Sequence, residues 1–385
     1  MYVISGAECF DPSPRGHLDL LVAGSEVVAM GESGSFDAVG ELAEAERVDA
    51  RGKLLMPGIV DALTHPCGGG GEGGFGNRTA EIDVETFVRA GVTAPVGALG
   101  TDSIGRSLEV LYGNVMGMRR QGLNAFMLSG AYRVPAPSLT GDIARDVYLV
   151  SPVVGVGEVA IADHRGTQPT AQELRRLAAE TQLGGILAGE GGTVLVHVGA
   201  GESRLKLLRD ALEGSDLSPS VLYPTHVNRS TALLDEAADW ALRGGFVDIT
   251  VSTTPELIAA GDITSERALR RLLEAGAPAE KITLSSDAGG SLPVYVDGEL
   301  VGLTAASPDS LPELLLSLHS ENPDLFPVAL AGMTRNPAAA LKLADAGAIA
   351  VGGRADLLLL DPAAGAVESV MAGGQWLLRR GEFLL

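Results

Sequence analysis

The chain has little that is aromatic, little that is basic and almost no cysteine. Its 385 residues include only Cys9 and Cys67, too few for a disulfide framework, which fits a reducing compartment. Aromatics make up 4% of residues while 46% are hydrophobic, and the mean hydropathy is +0.22. Small and branched aliphatics must therefore build the core, and global disorder is excluded. Lys and Arg number 28 against 49 Asp and Glu, a formal net charge of −21. So acidic a surface repels phosphate backbones and anionic lipid, which argues against nucleic acid or membrane as partners. No apolar run reaches the length of a transmembrane helix. The opening MYVISGAECFDP lacks the basic start and apolar stretch of a signal peptide, so a cytoplasmic location is expected.

What is present alternates. Both ends carry short strand-like runs, MYVISG, HLDLLVAG and EVVAMG at the start, ADLLLLD, AVESVMAGG and QWLLRRG at the finish. They predict a small β-sandwich domain from residues 1–54 and 346–385, beside a larger domain of 55–345. In the larger part, eight strand candidates (58–65, 92–100, 124–132, 153–163, 193–199, 222–228, 247–253 and 282–288) alternate with amphipathic stretches, several of which end at glycine. Eight β–α units predict an α/β fold, a closed parallel (β/α)8 barrel of the TIM type. In such barrels the chemistry sits at the C-terminal strand ends. There the polar residues collect: His65, Thr101, Tyr132, Glu158, His197, His226 and Asp287.

His197 in TVLVHVG and His226 in LYPTHVN close two different strands. A lone histidine there reads as a satisfied core residue. Two of the six, on neighbouring strand ends, read instead as ligands that with a carboxylate make a three-donor zinc site. Asp287, after ITLSS, reads either as an Asx-turn opening AGGS or as a general base at the end of the last strand. The run PGIVDALTH ends in one histidine, His65, where two on the same face would make a metal pair; two residues earlier stands Leu63.

PGIVDALTH, the histidine-bearing strands, SSDAGGS and NPAAALKL…GAIAVGGRADLLLLD resemble the amidohydrolase superfamily. More narrowly, GGGGEGG, GTDSIGR, SGAYRVP, ADHR, PTHVNR and SSDAGGSLP resemble the isoaspartyl (β-aspartyl) dipeptidase family, metal-dependent peptidases, in order and nearly end to end. The resemblance implies a dipeptide substrate and a homo-oligomer. It implies that Glu72 holds the substrate α-ammonium and that Thr101, Asp102 and Ser103 bind the α-carboxylate of the aspartyl half. It further implies that Tyr132 polarises the scissile carbonyl, that Arg165 and Arg229 clamp the carboxylate of the C-terminal residue, and that Ser291 contacts the aspartyl end. A doubly charged dipeptide needs such fixed counter-charges.

The sequence departs from that family at two ligand positions. Leu63 stands where the first strand carries the first histidine of its pair, and Glu158 stands where a lysine becomes carbamylated and bridges two metals. Glutamate keeps the charge but is three bonds shorter, roughly 3–4 Å of reach. The outer site is thereby reduced to His65 and Asp287, at most a weak second site. Glu158, His197 and His226 remain a complete set for one ion per chain, most readily Zn2+. Such an ion would lower the pKa of a bound water toward neutrality. Asp287 would move the proton, His65 would orient Asp287 or the water, and Tyr132 would help to stabilise the oxyanion. Cys67 beside His65 could complete a second site but reads better as a small loop cysteine. His164 stands beside Arg165, and His17 and His319 carry no chemistry. Two other functions stay open from the residues: a divergent amidohydrolase acting on another N-acyl amino acid or cyclic amide, and an impaired homologue that only binds acidic dipeptides.

Overall fold

Both ends of the chain enter one sheet. The computed structural model describes residues 1–42, 45–296 and 299–385. Strands Tyr2–Asp11, Ser13–Ala23, Glu26–Glu32, Glu46–Asp49 and Leu54–Pro57 join Leu357–Asp361, Ala366–Ala372, Gln375–Arg379 and Glu382–Phe383 in a nine-stranded sheet. The seam between the two ends is antiparallel, with Leu55 opposite Leu359. Ile4, Leu20, Leu55, Leu357, Met371 and Trp376 form one buried cluster. Apolar surface from both ends is thus removed from water together, at roughly 25 cal/mol per Å².

The middle of the chain supplies eight parallel strands: β1 (Ile59–Thr64), β2 (Val92–Gly97), β3 (Phe126–Ser129), β4 (Val153–Ile161), β5 (Thr193–Val198), β6 (Leu222–Thr225), β7 (Val247–Thr250) and β8 (Ile282–Ser285). The first six are hydrogen-bonded in sequence order, β7 pairs with β8, and a bridge from Thr64 to Ala288 returns the last strand to the first. Thr225 Oγ1 donates to Asp248 Oδ2 at 2.7 Å, which ties β6 to β7 where no ladder runs. Val96, Leu128, Val154, Leu195 and Tyr223 share one buried cluster, while alternate residues such as Val194, Val196 and Val198 pack in the larger cluster with the helices. This is the period-two alternation of a barrel wall.

Five helices, Leu108–Arg120, Ala171–Ala188, Lys206–Leu212, Thr231–Leu242 and Ser265–Glu274, fall inside amphipathic stretches of the sequence. Their starts have chemical causes. Ser107 and Ser230 accept backbone N–H bonds as N-caps, and Thr170 and Glu173 form a capping box. The helices Val84–Arg89 and Ile143–Leu149 are too short to show a period, and their capping aspartates, Asp83 and Asp142, are the main signal for them. No helix among the described residues is long and apolar enough to cross a membrane.

Several strands stop earlier than the apolar runs predict, and the stops place the site. β6 ends at Thr225 and β8 at Ser285, because the backbone turns left-handed at His226 (φ 62°) and Asp287 (φ 57°). His and Asp tolerate that region better than most residues, yet the conformation is costly and must be held by its surroundings. One glycine matters to the packing of β4 on β5. A Cβ at Gly157 would lie 2.9 Å from the Leu195 carbonyl oxygen, so only glycine allows the approach that brings the next residue, Glu158, against β5.

Candidate active site

The registers of β4, β5 and β6 bring three donors to one point. His197 on β5 lies opposite Ala160 of β4 and Thr225 of β6. Its Nδ1 is 2.7 Å from Glu158 Oε1, and the same carboxylate oxygen is 3.0 Å from His226 Nε2. One ligand atom from each of the three residues lies within 4.8 Å of the others, and this is the one such group among the described residues. All three are buried. His226 Nδ1 is bonded to Thr250 Oγ1 at 2.5 Å, which leaves Nε2 facing the cluster. Glu158 Oε2 is buried without a hydrogen-bond partner among the described residues. Burial disfavours its charge, but His197 and His226 outweigh burial and hold the carboxyl well below the usual range. Burial also pushes His226 down to about 4, so its imidazole is neutral, as a ligand must be. Two imidazoles and an ionised carboxylate with an orphaned oxygen fit one divalent cation.

Across the mouth, His65 and Asp287 form a different arrangement. His65 Nδ1 lies 3.1 Å from the Ala98 carbonyl oxygen, and Nε2 lies 3.0 Å from Asp287 Oδ1 and 3.5 Å from Glu158 Oε2. Burial works against protonation of His65, but Asp287 and Glu158 together raise it to about 9. His65 and Asp287 therefore stand as a bonded pair at the edge of the three-donor group. Leu63 is fully buried and belongs to the apolar cluster of the barrel wall. Tyr132 OH is 2.8 Å from His197 Nδ1; burial first, then Glu158, raises its pKa well above the ordinary value and keeps it a proton donor.

The charged residues around the cluster pair among themselves. Arg165 grips Asp163 through Nε and Nη2, at 3.0 and 2.7 Å, and reaches Glu72 Oε1 with Nη1 at 2.8 Å. Glu72 Oε1 also accepts from Thr101 Oγ1 at 3.0 Å, while Oε2 is buried without a partner among the described residues. Asp102 is committed to its own loop: it accepts from Arg78 at 2.6 Å and from the backbone N–H groups of Ile104 and Gly105. Ser103 Oγ accepts from Arg133 Nε at 3.3 Å. Arg229 makes no ion pair among the described residues, yet it lines both the narrow recess over the cluster and an adjoining cavity of about 820 Å³. Ser291 and Asp287 line both as well. Cys67 is buried and accepts from Asn114, with burial pushing its thiol up to about 11. His164 is exposed.

Two groups that touch this region were not legible as site residues in the sequence. Asp163 lies 3.0 Å from His197 Nε2, and its burial is outweighed by bonds from His197 and Arg165 that hold its carboxyl below the usual range. Its place in ADHR beside Arg165 was the available signal. Asp61 accepts from the Ser286 backbone N–H and hydroxyl, and so fixes the residue before Asp287. Its position two residues before Leu63 on the same strand face was the hint.

The model of the amidohydrolase family matches residues 54–377. The structure of β-aspartyl dipeptidase from the thermophilic, keratin-degrading Fervidobacterium islandicum AW-1, in complex with the dipeptide β-Asp-Leu, is 38% identical in sequence. That comparison covers 100% of this chain and 98% of that one, with a TM-score of 0.89. A second structure of β-aspartyl dipeptidase from the same organism gives 36% identity, the same coverage and the same TM-score. The dihydropyrimidinase of Brevibacillus agri NCHU1002 covers 100% of this chain and 96% of its own at a TM-score of 0.65, and at 17% identity it shares the fold alone. Profile and structures agree: the chain is a hydrolase of the amidohydrolase family and belongs to its β-aspartyl dipeptidase branch.

Proposed function

We propose that the protein hydrolyses β-aspartyl (isoaspartyl) dipeptides, using a single divalent cation, Zn2+ in the first instance, held by Glu158, His197 and His226. The observation that carries this reading is the convergence of those three donors beneath a recess whose rim presents Arg229, which makes no ion pair among the described residues. When bound, the cation polarises the amide carbonyl and acidifies water as a Lewis acid. Asp287 accepts the proton of the attacking water and returns it to the nitrogen as the carbon–nitrogen bond breaks; His65, bonded to Asp287 Oδ1, aims that carboxylate. Tyr132, a buried and protonated phenol, donates to the carbonyl oxygen as charge grows on it.

Recognition follows from charge. Glu72 Oε2, buried and without a partner among the described residues, is the acceptor for the α-ammonium. Thr101 and Ser103 present hydroxyls to the aspartyl α-carboxylate, on a loop that Asp102 shapes, and Ser291 completes that end. Arg229 takes the carboxylate of the C-terminal residue, and Arg165 supports it from its place between Asp163 and Glu72. Leu257, Leu292 and Leu303 in the same cavity suit an apolar side chain there. Arg229→Met removes one charge-assisted contact of about 1.5–3 kcal/mol, so kcat/KM for β-Asp-Leu falls roughly 10- to 100-fold with metal content unchanged.

The deciding experiment measures bound metal and hydrolysis of β-Asp-Leu beside N-acyl amino acids and a cyclic amide. One tight metal equivalent and selective cleavage of β-Asp-Leu are expected. Two tight equivalents overturn the single-ion reading, and preference for an N-acyl amino acid overturns the substrate.

A further inference from the structure

Neutral imidazole carries one proton, and the nitrogen that keeps it cannot bind a metal. His197 directs Nδ1 at the cluster, 2.7 Å from Glu158 Oε1, so as a ligand it must hold its proton on Nε2. Three groups face Nε2: Asp163 Oδ2 at 3.0 Å, Arg165 Nη2 at 3.3 Å and, farther off, the Tyr132 hydroxyl at 3.5 Å. The carboxylate is the nearest acceptor, since the Tyr132 hydroxyl sits closer to Nδ1, at 2.8 Å. A guanidinium has donors alone, and here Nη2 also donates to Asp163 Oδ2 at 2.7 Å.

We propose that Asp163 is a positioning residue: by accepting the Nε2 proton of His197 it selects the tautomer whose Nδ1 lone pair faces the cation. This rests on the reading that Glu158, His197 and His226 hold such an ion. The carboxylate is well placed for the task. It is 5% exposed, and Arg165 fixes it with three bonds, from the backbone N–H (2.8 Å) and Nε (3.0 Å) to Oδ1 and from Nη2 to Oδ2. Arg165 is therefore a scaffold for the metal site as well as part of the substrate rim. Its role depends on Asp163. Without that carboxylate, Arg165 is the nearest remaining neighbour of Nε2, a donor, which favours the opposite tautomer and turns an N–H toward the cluster.

The test uses the whole protein, stripped of metal and titrated with Zn2+ against a chromophoric chelator and with Co2+ by visible absorption. Asp163→Asn and Asp163→Ala should weaken Zn2+ binding about 10- to 100-fold, the usual effect of removing a partner of a metal-bound histidine, and shift the Co2+ bands. Adding Arg165→Met to Asp163→Ala should restore part of the affinity, because it removes the competing donor; a residue that merely supports the fold would show no such recovery. Unchanged affinity and unchanged Co2+ bands in both single variants overturn the proposal. Should the variants fail to fold, the 15N shifts of the histidines in the metal-loaded parent decide: a proton on His197 Nε2 is expected, and one on Nδ1 overturns it. A parent that takes up no cation overturns the metal reading and this inference together, whereas tight binding indifferent to Asp163 overturns the inference alone.

Discussion

The two sides of the barrel mouth are built from similar strand ends and have opposite character. On one side, the neighbouring strands β4, β5 and β6 each send a donor to one point, and Glu158 Oε2 has no hydrogen-bond partner among the described residues. On the other, His65 and Asp287 bond to each other, and the residue two before His65 is a leucine packed into the wall. Two imidazoles and a carboxylate converging on one point favour a cation. His65, bonded through Nε2 to Asp287 and two residues after an apolar side chain packed into the wall, makes a fixed hydrogen bond instead. The difference comes from two side chains, Leu63 and Glu158, carried on an otherwise common scaffold.

Breaking the donor-rich side should have the largest effect. Glu158→Ala removes the carboxylate shared by both histidines, and tight metal should be lost. Several kcal/mol of electrostatic stabilisation go with it, so kcat should fall by roughly four orders of magnitude in a steady-state assay. On the poorer side, Asp287→Asn should leave metal content intact and lower kcat by roughly a thousandfold with little change in KM, since a proton carrier is lost while the binding groups remain. Equal losses of metal in both variants would erase the distinction between the sides.

Leu63→His tests whether the poorer side can be refilled. It places a polar ring in an apolar cluster, and denaturant unfolding should register a loss of about 1–3 kcal/mol. Metal analysis should still return one tight equivalent, because Glu158 is too short to bridge; a second tight equivalent would show that Leu63 alone separates the two sides.

The smallest effect is expected from Asp61, beneath the Asp287 side. Burial pushes its carboxyl up to about 7, against the opposing bonds from Ser286. An acid raised in the folded state favours folding while it stays protonated. Its contribution is present below the unfolded value near 4 and is lost as the pH rises through about 7. Asp61→Asn should therefore flatten the decline in stability between about pH 4 and 7, by at most about 1.4 kcal/mol per pH unit in denaturant titrations. Parallel pH profiles for parent and variant would remove Asp61 as a titrating group.

Much of this was legible in the chain because its signals are local. Strand-length apolar runs alternating with capped amphipathic stretches gave the barrel, since burial of one face per element imposes the period. His197 and His226 stood out because each ends such a run. The exact strand ends did not, because the left-handed turns at His226 and Asp287 depend on neighbours such as Asp61 and Thr250 that are distant in sequence. Asp163 was hidden for the same reason. Aspartate two residues before an arginine reads as a surface turn until β4 and β5 are laid side by side.

The sequence by itself therefore determined the element order, the alternation that makes a barrel wall, and the kinds of donor available at its mouth. Only the tertiary structure decided which donors meet, that His65 bonds to Asp287 at the edge of the three-donor group, and that Arg165 is engaged with Asp163 and Glu72. The physical reason is reach. Propensity and hydrophobic period act over a few residues, whereas a hydrogen bond or a ligand set requires atoms within about 3 Å, a condition that only strand register and packing across the whole barrel can meet.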